Sequence, residues 1–249
     1  GETKGESVHI PVVITKTDYR ETVYNDFYVE AGADVLIIAG CGIHNCGVET
    51  AEHSGIHTFH IGKGAKVKYV EKHYASGDGN GENVMNPTTA IILEEGARME
   101  METTQIKGID STVRETSATL AAGAELIIRE KIYTHGKQLA KTDFSVDLNG
   151  EGAGADIVSR SVAAEHSRQE FEMRINGNEK CHGHSECDAI IMDDAHVTAV
   201  PALAANCVDA ELIHEAAIGK IAGEQLLKLM TLGLTEHEAE EQIIKGFLS

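Results

Sequence analysis

The stretch EAGADVLIIAG (residues 30–40) decides the fold, because the chain says nearly the same thing four more times. GKGAKVKYVEK (62–72), EEGARMEMETT (94–104), AAGAELIIREK (121–131) and GEGAGADIVSR (150–160) each place Gly-Ala ahead of an alternating, β-prone segment. That is how a turn followed by a strand reads. The glycines stand at 32, 64, 96, 123 and 152, so the spacings are 32, 32, 27 and 29. A period of this size marks stacked supersecondary units, each unable to bury its apolar face alone and sharing a continuous core with its neighbours. Glycine takes the left-handed corner, and the small alanine beside it lets consecutive turns stack closely. No long amphipathic helices separate the strands, which excludes a doubly wound α/β sheet. The irregular period favours a β-helix, or β-solenoid, over a propeller. The alternative is a β-sandwich with coincidental Gly-Ala turns.

After about residue 210 the pattern changes. Leu226, Leu227 and Met230 recur at helical spacing, Gly233 is a stop, and Leu234-Thr235 restarts a helix. Thr235 with Glu238 reads as a capping box, with Leu234 stapling onto Ala239. The second helix then places Ala239, Ile243, Ile244 and Phe247 on one face. The expected organisation is a mainly β domain over 1–212 and a small helical region over 213–249, which covers the end of the solenoid or docks a partner.

Composition bounds the function. The chain has 249 residues with 21 basic and 40 acidic side chains, a net charge of −19, which argues against nucleic acid or an anionic membrane as partner. Five cysteines (41, 46, 181, 187 and 207) in a chain of this size fit reduced thiols in a cytosol better than a disulfide framework. The longest apolar run, ADVLIIAGCG, falls far short of the roughly 20 residues that span a bilayer. A water-soluble, cytoplasmic protein is the expectation. No phosphate-binding G-x-x-x-x-G-K-[ST] loop, G-x-S-x-G or H-E-x-x-H word occurs, so neither ATP hydrolysis nor these hydrolytic chemistries are expected of this chain.

The chemistry-bearing words lie late. CHGHSECDAIIMDDA (181–195) packs Cys181, His182, His184 and Cys187 together. On a strand alternate side chains point to opposite faces, and residues 181 and 187 would stand about 20 Å apart, so a closed tetrahedral site from this run alone is not expected. Neither Cys41/Cys46 nor Cys181/Cys187 has C-x-x-C spacing.

Taken in order, CDAIIMDD (187–194), PALAANCVDAELIHEAAIGKI (201–221) and EQLLKLMTLGLTEHEAEEQIIKGF (224–247) resemble the C-terminal core of the SufB/SufD family of iron–sulfur cluster assembly proteins. GCGIHN (40–45) and GKGAKVKYVEKHYASG (62–77) look like that family's upstream β-helix words. The resemblance implies a right-handed parallel β-helix flanked by helices, pairing with a second such subunit and with a SufC-like ABC ATPase. It implies a scaffold rather than an enzyme, on which a nascent iron–sulfur cluster is assembled at a subunit interface with sulfur from a donor protein. Carried over by motif, Cys187 and the pair His214-Glu215 hold the cluster, and Cys41 accepts sulfur. Some members have an acid before the His-Glu pair, where this chain has Ile213.

Those residue types suit that work. Thiolates bind iron–sulfur clusters first, and an imidazole or carboxylate at one position leaves a labile ligand set from which the cluster can be handed on. Cys187 and His214 lie 27 residues apart, close to one solenoid period, so adjacent rungs can bring them together. On this reading Cys181, His182 and His184 are bystanders. Retention of both candidate cysteines implies a SufB-like member, compact and pairing with itself, over a SufD-like partner subunit. Two further alternatives are a β-helical zinc protein using His57, His60 and His73, and a structural solenoid whose helices only dock a partner.

Overall fold

A computed structural model describes residues 6–249. The strands alternate between two sheets as the chain winds. The first sheet holds β1 (Val8–Ile14), β3 (Asp34–His44), β5 (Lys66–Ser76), β8 (Arg98–Lys107), β10 (Glu125–Thr134), β12 (Gly154–Ala163), β14 (His182–Ile191) and β16 (Glu211–Gly219), in that spatial order. The second holds β2 (Tyr19–Val29), β4 (Ala51–Ile61), β6 (Asn83–Met85) and β7 (Thr88–Leu93) on a shared rung, then β9 (Ser111–Leu120), β11 (Leu139–Leu148), β13 (Arg168–Gly177) and β15 (His196–Ala205). Every pairing is parallel, which makes the fold a β-solenoid.

The repeated phrase sets the winding. Asp34 pairs with Lys66, Lys66 with Arg98, Arg98 with Glu125 and Glu125 with Gly154, so the register steps equal the glycine spacings of the sequence. Gly32, Gly64, Gly96, Gly123 and Gly152 all have φ between 63° and 74°. At each of these corners the glycine N–H donates to a carbonyl one turn further on, as from Gly32 to Lys63 (2.9 Å) and Gly64 to Glu95 (3.0 Å). The opposite corners use Gly136, Glu165 (φ 59°) and Asp193 (φ 53°), which is why no second Gly-Ala phrase is readable.

Strand alternation sends every second side chain inward. Phe59, Tyr69, Met99, Leu126, Phe144 and Ile157 are fully buried members of one continuous apolar column. Phe27 stacks on Phe59 with ring centroids 4.5 Å apart, which ties adjacent rungs together.

The last rung is different. β15 and β16 are the final strands of their sheets, each paired on one side only. Their inward-facing side chains have no further rung above them, and Leu203 and Ile218 are each 38% exposed. Strand structure continues to Gly219, so the change to helix falls at residues 220–222 rather than at 212. α1 (Gly223–Thr231) buries no residue and α2 (Glu236–Phe247) buries only Ala239. Thr235 and Glu238 form the expected capping box. The helices pack on each other and leave the inward side chains of the last rung open, so covering the solenoid's end is not their role in this structure.

Candidate functional site

Two of the three candidate cluster residues share a face. β14 pairs with β16 so that Ser185 faces His214, Glu186 faces Glu215 and Cys187 faces Ala216. Cys187, Ser185 and His214 point inward, whereas His184, Glu186 and Glu215 point outward. The sheet therefore separates Glu215 from Cys187. His214 Nδ1 lies 2.7 Å from Ser185 Oγ, which fixes the ring, and burial holds its pKa below the ordinary histidine value. A neutral imidazole is the form that binds metal.

Cys187 is 2% exposed. Burial, with the nearby carboxyls of Glu130 and Asp188 adding to it, pushes the thiol up to about 12. The interior void beside it measures about 10 Å³, room for no more than a water. A cluster does not fit beneath the thiol, and the way out runs past Ala216 to the open last rung.

Cys41 is also inside, 3% exposed, and burial followed by the charge of Glu71 raises its thiol to about 12. Cys46 is the exposed cysteine of that region, with Sγ 3.2 Å from His44 Nε2. All five cysteines are free.

A chain of polar side chains runs inside the solenoid between Cys41 and Cys187. Arg114 Nη1 donates to Glu71 Oε2 (2.6 Å), and its Nε lies 3.5 Å from Glu130 Oε1. Tyr69 donates to Glu71 at 2.9 Å, and Ser159 and Thr142 donate to Glu130 at 2.8 and 3.1 Å. None of Glu71, Arg114 and Glu130 exceeds 3% exposure. Burial disfavours the Glu71 anion, but His73 and Arg114 beside it outweigh burial and hold its carboxyl well below the usual range. Burial keeps Glu130 above that range. One guanidinium thus serves two carboxyls whose surroundings drive them apart.

The other histidines divide likewise. His57 Nε2 and His73 Nε2 lie 3.9 and 3.4 Å from Glu71 Oε1, inside the solenoid. His60 instead stacks on Tyr28 on the outer side, with centroids 4.6 Å apart. The trio proposed for zinc does not converge. Cys181 sits in the apolar column, as Cys187 does. His184, on the outer face, has its Nδ1 donating to Asp156 Oδ1 (2.9 Å) and its Nε2 3.6 Å from Glu215 Oε2.

Comparison with known proteins gives this arrangement a lineage. The family described as SUF system FeS cluster assembly, SufBD core domain, matches residues 17–247. The chain belongs to the SufBD family. Similar SufBD proteins include an iron-sulfur cluster assembly SufBD family protein of Archaeoglobus fulgidus, 31% identical over 98% of this chain and 66% of that protein. One of Methanocaldococcus jannaschii is 29% identical over 97% of this chain and 76% of its own length. One of Methanothermobacter thermautotrophicus is 30% identical over 92% of this chain, which spans only 55% of that relative. The SufBD core is thus an iron–sulfur cluster assembly component. Among the described residues no helix is long and apolar enough to cross a membrane.

Proposed function

We propose that this SufBD chain is a SufB-like scaffold, in the cytoplasm, that builds a nascent iron–sulfur cluster as cargo at an interface between two copies of itself. The observation that carries the reading is the open end of the solenoid. Cys187 lies one small side chain, Ala216, from that end, His214 shares its face, and Glu215 stands on the edge strand, which is paired on one side only. One thiolate and one imidazole per chain on the inner face, with the Glu215 carboxylate across the sheet, are too few for a stable cluster, and a second copy at the same edge doubles the set. Pairing also satisfies the free strand edge. The raised thiol suits this order of events, since Cys187 stays protonated and protected until iron displaces the proton. Cys41 receives sulfur from a donor protein, and the polar chain from Glu71 to Glu130 links its surroundings to those of Cys187. Both cysteines being present favours SufB-like over SufD-like behaviour.

Sedimentation with parallel iron and sulfide analysis, after anaerobic reconstitution, tests this. A homodimer with about one cluster per dimer is expected, the stoichiometry that the ligand count requires. A monomer that holds a full cluster overturns the interface site.

The energy source on this reading is a separate SufC-like ABC ATPase that docks on the helical pair. Leu227 and Leu232 are 63% and 77% exposed on that pair, an apolar surface that the solenoid leaves uncovered. A Leu227→Asp, Leu232→Asp variant is expected to bind the ATPase at least about tenfold more weakly, a loss of about 1.4 kcal/mol. Unchanged binding in a pull-down titration would place the docking surface elsewhere.

A further inference from the structure

The outer face of β14 and β16 carries a juxtaposition that the cluster reading does not use. Glu186 and Glu215 are direct partners across parallel strands and point to the same side. Like charges placed so are destabilising unless something neutralises them. Among the described residues the cationic groups beside them are Arg160, whose Nη2 is 3.8 Å from Glu186 Oε1, too far for a hydrogen bond, and the His184 ring, whose Nε2 is 3.6 Å from Glu215 Oε2. His184 completes the group: one ligand atom from each of His184, Glu186 and Glu215 lies within 4.8 Å of the other two.

We propose that His184, Glu186 and Glu215 form a mononuclear site for a divalent first-row transition-metal ion, on the opposite side of the sheet from Cys187. One imidazole and two carboxylates with room for water suit ferrous iron and its neighbours in the series, and offer nothing to soft, thiol-seeking ions. The histidine is already oriented for the task. Its Nδ1–H donates to Asp156, which in turn is held by Arg129, so Nε2 is the nitrogen turned toward Glu215. A carboxylate behind a histidine in this way is the usual outer support of a metal-binding imidazole. Access is open as well. His184 and Glu186 line a groove of about 670 Å³ on this face, together with Asp156 and Arg160.

The binding itself needs nothing from the scaffold reading; only the ion's use rests on it. There, ferrous iron held on the outer face waits one strand thickness from the thiol that receives it, and Glu215 serves the ion before any cluster exists.

Anaerobic titration with cobalt(II), followed by visible absorption, tests the site without sulfide. The intact chain and Cys187→Ala are both expected to bind one cobalt per chain, with ligand-field bands and no thiolate-to-cobalt charge-transfer band. Glu186→Gln and His184→Ala should weaken binding at least tenfold. Asp156→Asn, which leaves all three ligands in place, should weaken it about ten- to a hundredfold. A charge-transfer band that disappears in Cys187→Ala overturns the proposal, as does a Glu186→Gln titration identical to that of the unaltered chain, or no binding at all. Ferrous iron competing for the same site would support it. Cobalt binding by a chain that never builds a cluster sinks the scaffold reading and leaves this site standing. Cluster building by a chain whose cobalt binding ignores Glu186→Gln does the reverse.

Discussion

Arg114→Leu is expected to destabilise the protein by about 3–5 kcal/mol, the usual result of removing one member of a buried ionic group. In a chain of this length that corresponds to a fall of roughly 10 °C in the thermal midpoint. Arg114 is the cation between Glu71 and Glu130, and all three are buried. Leucine fills much of the volume but takes the permanent counter-charge from Glu71, leaving the buried carboxylate only His73 and His57 beside it. Tyr69, which donates to Glu71, offers a hydrogen bond but no charge. Arg114→Lys recovers only part of the loss, because a single ammonium cannot reproduce the fork that reaches Glu71, His73 and Glu130 together. Adding Glu71→Gln to Arg114→Leu should restore at least about 1 kcal/mol, since the stranded anion is then gone. Thermal and urea melts of these three variants and the unaltered chain measure this. An Arg114→Leu protein within 1 kcal/mol of the unaltered chain would mean that the interior carboxyls find another counter-charge.

Cys187→Ala carries the largest functional effect. The variant should lose essentially all cluster absorption, iron and sulfide after reconstitution, while its melting point changes by only a few degrees, because a buried sulfur is a small loss of packing. Cys181→Ala makes the comparison fair: it removes another buried thiol of the same apolar column, six residues before Cys187, and should keep the cluster. Full iron and sulfide in Cys187→Ala, with the same protein folded by circular dichroism, would remove Cys187 from the site.

The winding was legible because glycine announces its own geometry. Five glycines at the left-handed corner, each followed by alanine, fixed the period and even its irregularity, which the strand registers repeat. Only one strand per turn was readable that way. At the opposite corners Glu165 and Asp193 adopt the same conformation without a recognisable word, so the second sheet had no signature.

The site was half legible for a related reason. A spacing near one period correctly put Cys187 and the His214-Glu215 pair on neighbouring strands, but which face each side chain takes depends on register, and the register step there is 29, as Ser185 to His214 shows. Alternation within β14 held a usable signal: His184, Glu186 and Asp188 share the parity opposite to Cys187. The interior ion chain was missed because charged residues in an alternating strand read as solvent-facing. Glu71 nonetheless shares its parity with Val67 and Tyr69, both core residues, and that parity marks it as inward.

The unfinished end of the solenoid has a consequence for how binding and order are related. In a stack whose units hold only their neighbours, the terminal unit has half the support of an internal one and frays first. His214 and Glu215 lie on that unit. Whatever settles on the open edge therefore supplies the missing neighbour, and its affinity and the order of the last rung become one linked quantity. The final turn is then not the weak point of a finished structure but the part whose completion has been left to the encounter.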